Sequence, residues 1–119
     1  MKVLVIDDSK PIFMMVSQML KELGHEAIWA ENGQDGFEKV TANSDLELVL
    51  LDWNMPVMDG LEFLKKNGAE SFCKAPIVMM TTENKPEKIQ EALKNGAIDY
   101  IMKPFTADIL ENKIEMVCD

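Results

Sequence analysis

Five short, mostly apolar runs, each stopped by a polar residue, alternate with longer amphipathic stretches along the chain. The clearest is Val3-Leu4-Val5-Ile6, which ends against Asp7 and Asp8. A run with no polar alternation must be covered on both faces, the condition of a parallel sheet clad with helices on both sides. Comparable runs stand at Ala27–Ala30, Leu46–Leu51, Ile77–Met80 and Ile98–Met102. After the first of the five, Ile12, Met15, Val16, Met19, Leu20 and Leu23 recur at the spacing of one helix face. Ser9 is placed to cap that helix, Pro11 to enter its first turn and Gly24 to end it. Further helices are expected over Gln34–Val40, from Leu61 through Lys66 with Asp59 as cap, over Glu87–Asn95, and from Thr106 to about Val117. Five strand-then-helix units predict an α/β fold: a five-stranded parallel sheet, doubly wound as (βα)5 by right-handed crossovers.

Composition narrows the function classes. The 119 residues hold one domain's worth of core, so 1–119 is expected to be a single domain with no output domain. The formal charge is -9, and all 12 basic residues are Lys. An acidic chain without an Arg fork is a poor match for nucleic acid. Cys73 and Cys118 lie far apart and make neither a CxxC pair nor a metal spacing, so they are expected as thiols. No apolar stretch has the length of a signal peptide or a membrane span, which gives the expectation of a cytoplasmic protein with no membrane partner.

The polar residues that stop the runs carry the chemistry. Asp7 and Asp8 follow the first predicted strand, Asp52 the third, Thr81 the fourth and Lys103 the fifth. In an open parallel sheet all these ends lie on one edge, where ligands bind. Three clustered carboxylates repel unless one takes a proton or a cation binds, and an oxygen-only set suits Mg²⁺. With Lys103 as a compact positive charge and Thr81 as a hydroxyl donor, such a site can accept a phosphoryl group on a carboxylate. Each residue also has an ordinary reading. Asp8 fits a helix cap, Asp59 fits one better, Thr81 fits a strand-end turn and Lys103 a solvated lysine. Their joint placement on one edge is what favours the site.

The segments Asp7-Asp8-Ser9, Asp52-Trp53-Asn54-Met55-Pro56, Met58-Asp59-Gly60, Thr81 and Tyr100 through Lys103-Pro104-Phe105 carry a resemblance. Over nearly its whole length the chain resembles the receiver domain of two-component response regulators, and among these the single-domain chemotaxis regulators. The resemblance implies a flavodoxin-like strand order 2-1-3-4-5. It implies Asp52 as phosphoacceptor, with Lys103 and Thr81 contacting the phosphoryl oxygens. Asp8, Asp52 and the backbone carbonyl of Asn54 would hold Mg²⁺, with Asp7 acting mainly through water. Thr81 and Tyr100 would form the switch, Asn54 and Glu83 would tune dephosphorylation, and Trp53 would report on the site optically. The implied partners are a histidine kinase or histidine phosphotransfer domain as donor and a downstream protein, for example a flagellar switch, on the surface of the fourth helix, fifth strand and fifth helix around Lys85, Tyr100 and Lys113. A monomeric signalling switch is expected, not an enzyme with a separate substrate.

Departures from the family pattern are Thr82, bulkier than the small residue usual after the switch Thr, and Pro11 at the start of the first helix. Phe13 and Met14 fall beside the apolar stripe and are expected to form an exposed docking patch for the donor. Three other readings compete. An intermediate phosphocarrier of a phosphorelay would use the same site. A haloacid-dehalogenase-type phosphatase would need an Asp where Ser9 stands. A flavodoxin-like electron carrier would need a phosphate-binding loop where Asp7 and Asp8 would repel the phosphate.

Overall fold

The structure, a computed structural model, describes residues 1–53, 55, 58–70, 73–82 and 85–118. Among the described residues strands and helices alternate: β1 (Lys2–Ile6), α1 (Lys10–Glu22), β2 (Glu26–Ala30), α2 (Gly33–Ala42), β3 (Leu48–Asp52), α3 (Gly60–Glu70), β4 (Ile77–Thr81), α4 (Pro86–Lys94), β5 (Asp99–Met102) and α5 (Ala107–Cys118). The sheet is wholly parallel with order β2-β1-β3-β4-β5, so the flavodoxin-like expectation holds.

Strand alternation sorts the apolar runs into two cores. Val3, Val5, Leu48, Leu50, Val78, Met80 and Ile101 face Val16 and Leu20 of α1 and Leu110 and Ile114 of α5. Leu4, Ile6, Ala30, Val49, Leu51, Ile77 and Met79 face Val40 of α2, Phe63 and Leu64 of α3 and Ala92 of α4. This explains the unbroken apolar runs: successive side chains enter different cores, and β1, β3 and β4 have no solvent face.

The caps match their sequence signals. The Ser9 hydroxyl accepts from the Ile12 amide, and Gly24 and Gly96 leave their helices at φ of 85° and 113°, where a Cβ would be strained. Asp59 accepts from the Glu62 amide at 2.8 Å while the Glu62 carboxylate accepts from the Asp59 amide, a reciprocal capping box that settles Asp59 as structural. Thr106 caps α5 through the Ile109 amide. The first-helix stripe needs one correction. Met15 is 41% exposed, because α1 buries its narrower Val16–Leu20 ridge and turns the Met15 edge outward. Among the described residues no helix is long and apolar enough to cross a membrane.

Candidate functional site

The carboxyl ends of four strands meet on one edge. Asp7 leaves β1 with its amide donating to the Ala30 carbonyl of β2 at 3.0 Å. One of its carboxylate oxygens accepts from the Ser9 amide at 2.9 Å, which ties it to the cap of α1. Asp52 and Thr81 are the last residues of β3 and β4. Register pairs Asp52 with Met80 and Thr81 with Met102, so Lys103 emerges level with the acids. Its amide donates to the Thr81 carbonyl at 2.9 Å, extending the ladder by one rung.

The Lys103 ammonium bridges two carboxylates, 2.7 Å from Asp52 Oδ1 and 2.9 Å from Asp7 Oδ2. Asp7, Asp52 and Thr81 are buried, whereas Asp8 is exposed at the rim. Burial raises the Asp52 carboxyl above its ordinary value and the Asp7 charge adds to this, while Lys103 opposes it without cancelling it. Burial pulls the Lys103 ammonium down, but its hydrogen bonds and charge contacts with Asp52 and Asp7 outweigh that, and its pKa ends above the ordinary lysine value. The pair is therefore a held cation beside an acid that burial discourages from ionising. Asp7, Asp8 and Asp52 each offer an oxygen, all within 4.8 Å of one another. A hard oxygen-only donor set with an excess of negative charge fits Mg²⁺.

The chain matches the family model of the response regulator receiver domain over residues 3–115. It belongs to that family. Among its curated relatives, chemotaxis protein CheY1 of Helicobacter pylori is 43% identical, covering 98% of this chain and 96% of its own length. The chemotaxis protein CheY homolog of Campylobacter jejuni is 42% identical over 98% of this chain and 92% of its own. The solved structure of Vibrio cholerae chemotaxis protein CheY4 superposes with a TM-score of 0.88 at 39% identity, covering 98% and 97% of the two chains.

Within this receiver the other expected residues have different fates. Asn54 and Glu83 lie outside the described residues. Tyr100 is half-buried on β5, the edge strand. Lys113 stands 5.9 Å from the centre of its ring and donates to Asp99 Oδ2 at 3.0 Å. Lys85 is exposed at the start of α4. Asp99, absent from the sequence reading, joins the group by accepting from the Tyr100 amide as well as from Lys113. Thr82 is exposed and borders an apolar cleft of about 230 Å³ with Ile12, Met15, Val16, Lys103, Pro104 and Phe105.

The docking patch of Phe13 and Met14 is half corrected. Met14 is 60% exposed as expected. Phe13 is not: its ring stacks on Trp29, centroids 5.4 Å apart and planes 17° from parallel, and packs against the α1–α5 core. An aromatic on β2 covers what helix periodicity alone left bare. That partner, Trp29, is also the residue the sequence reading missed at the site. Its indole Nε1–H donates to the Asp7 carbonyl at 2.9 Å. The one available signal was register, because Trp29 pairs with Val5, two residues before Asp7.

Proposed function

We propose that this receiver accepts a phosphoryl group on Asp52 from the phosphohistidine of a histidine kinase or phosphotransfer domain, and passes the change to a target-binding surface. The observation that carries the reading is the 2.7 Å contact between Lys103 and Asp52 in a buried pocket shared with Asp7 and bordered by Asp8 and Thr81. A carboxylate oxygen of Asp52 attacks phosphorus, the P–N bond to the donor histidine breaks, and its electron pair returns to the imidazole. Lys103 is placed to leave the carboxylate for a phosphoryl oxygen, and the Thr81 hydroxyl lies on the same edge. Asp7, Asp8 and Asp52, joined by the Asn54 carbonyl, would hold Mg²⁺, which when bound neutralises charge on the phosphoryl oxygens.

The route outward runs along the edge strand. Alternation turns Tyr100 and Met102 to the α4 side of β5, and Met102 is exposed, as is Ile98 just before the strand. Movement of Thr81 toward a phosphoryl group would change the space open to Tyr100 and so the surface of α4, β5 and α5 around Lys85 and Lys113. That surface suits a downstream protein, a flagellar switch in view of the chemotaxis relatives. Asn54 and Glu83, both polar, would leave water access to the phosphoryl group. The apolar cleft beside Lys103 and the exposed Met14 and Met15 suit the donor's approach. The protein acts in this reading as a cytoplasmic monomeric switch that catalyses only its own phosphorylation and dephosphorylation. The test is labelling by acetyl phosphate in Mg²⁺: Asp52→Asn takes up no label, and stoichiometric label on that variant refutes the assignment.

A further inference from the structure

We propose that Trp29 is a positioning residue for the cation site: its indole N–H fixes the main chain at Asp7, and the Phe13 ring holds the indole in place. The proposal rests on reading Asp7, Asp8 and Asp52 as cation ligands. Asp7 is held at both main-chain groups by consecutive residues of β2. Its amide donates to the Ala30 carbonyl at 3.0 Å and its carbonyl accepts from Trp29 Nε1 at 2.9 Å. In a parallel ladder the next rung would bring a main-chain N–H from two residues beyond Ala30. That residue is Asn32, which has already turned away to cap α2 through the Asp35 amide. The indole supplies the donor that the ladder can no longer provide, and the buried Asp7 carbonyl is not left unpaired.

The grip closes on itself. The Asp7 carboxylate accepts from the Ser9 amide, and the Ser9 carbonyl accepts from the Phe13 amide at 3.0 Å in the first turn of α1. The Phe13 ring stacks on Trp29, and Trp29 returns to the Asp7 carbonyl. Asp8 is the one residue between the two fixed points Asp7 and Ser9. Its exposed carboxylate has no hydrogen bond among the described residues, and its position is set by a turn that this circuit holds. A metal ligand displaced by a fraction of an ångström loses affinity, so the indole acts on the cation without touching it.

Trp29→Phe retains a ring to stack on Phe13 and removes the N–H. Isothermal titration calorimetry with Mg²⁺ should show about three- to tenfold weaker binding, the scale of one neutral hydrogen bond. The control is Ile114→Val, remote in α5, which lowers the melting temperature and leaves Mg²⁺ affinity unchanged. Labelling of Trp29→Phe by acetyl phosphate should slow at low Mg²⁺ and recover at saturating Mg²⁺, a split that a general loss of stability would not produce. Mg²⁺ affinity within about twofold of the parent overturns the proposal. A second measurement leaves the circuit intact. The chain has two tryptophans, so Trp53→Phe leaves Trp29 as the sole tryptophan, and its selectively excited fluorescence should respond to Mg²⁺. Emission indifferent to Mg²⁺ that calorimetry shows to be bound refutes the coupling. A parent that takes up no Mg²⁺ overturns the cation reading itself, before any variant is compared.

Discussion

Lys103→Met removes the one cation from between two buried acids. At an effective dielectric of about 20, contacts of 2.7 and 2.9 Å are each worth roughly 6 kcal/mol of gross attraction. Carboxylate oxygens within 4.8 Å repel by roughly 3.5 kcal/mol or more on the same scale. Desolvation of the ammonium offsets most of the attraction, and breaking such a buried pair costs about 3–5 kcal/mol net. The loss should depend on pH. Burial already raises the Asp52 carboxyl above its ordinary value of 3.8, and losing Lys103 removes what opposed that shift. A carboxyl raised in the fold contributes stability that is complete below the unfolded value and lost as pH rises through the folded one. The destabilisation should thus be largest at pH 8 and shrink by at least half as pH falls toward the ordinary carboxylate range. Mg²⁺ should recover more stability in the variant than in the parent, because it replaces the missing positive charge. Urea unfolding at both pH values, with and without Mg²⁺, measures all of this. Equal losses at the two pH values, or a variant more stable than the parent at pH 8, would refute the electrostatic account.

Asp8→Ala should weaken Mg²⁺ binding at least about tenfold by calorimetry while leaving metal-free melting unchanged or slightly raised, since a rim ligand and a like charge go together. Gly60→Ala should cost about 1–3 kcal/mol in denaturant unfolding and slow acetyl phosphate labelling. A Cβ there meets the Asp52 main-chain carbonyl and comes 3.1 Å from the Trp53 Cα, and the Gly60 amide already donates to the Trp53 carbonyl. Met14→Lys should slow transfer from a protein phosphodonor but not from acetyl phosphate, with stability unchanged. Phe13→Ser should cost about 2 kcal/mol in the same unfolding assay, because it removes the stack on Trp29.

The architecture was legible because apolar runs without alternation admit few folds. Three helix starts were legible from side chains that cap their own main chain, at Ser9, Asp59 and Thr106, whereas the Asn32 cap of α2 was missed. The convergence of Asp7, Asp52, Thr81 and Lys103 followed from the rule that parallel strands share an edge. What stayed hidden depended on pairs that no local pattern joins. Phe13 read as bare because helix periodicity says nothing of an aromatic on β2. Trp29 read as an ordinary strand residue because its donor is spent two positions beyond its own register partner. Asp99 drew no notice because nothing local signals that α5 brings Lys113 over it. Met15 fell on the predicted stripe, yet the buried face of α1 is set by Val16 and Leu20, and nothing in spacing alone gives the width of that face.

The two bonds of Lys103 span 51 and 96 residues of sequence. Contacts of that separation form late, since most of the chain must be ordered before closing such loops is rewarded. Lys103 follows β5, the outermost strand on its side, so any partial opening that releases β5 and α5 takes the lysine with it. The site is thus a property of the finished sheet and of no fragment of it. Under the proposed function, a phosphoryl mark would be written only on molecules that have completed folding, which would keep half-assembled copies out of the signal.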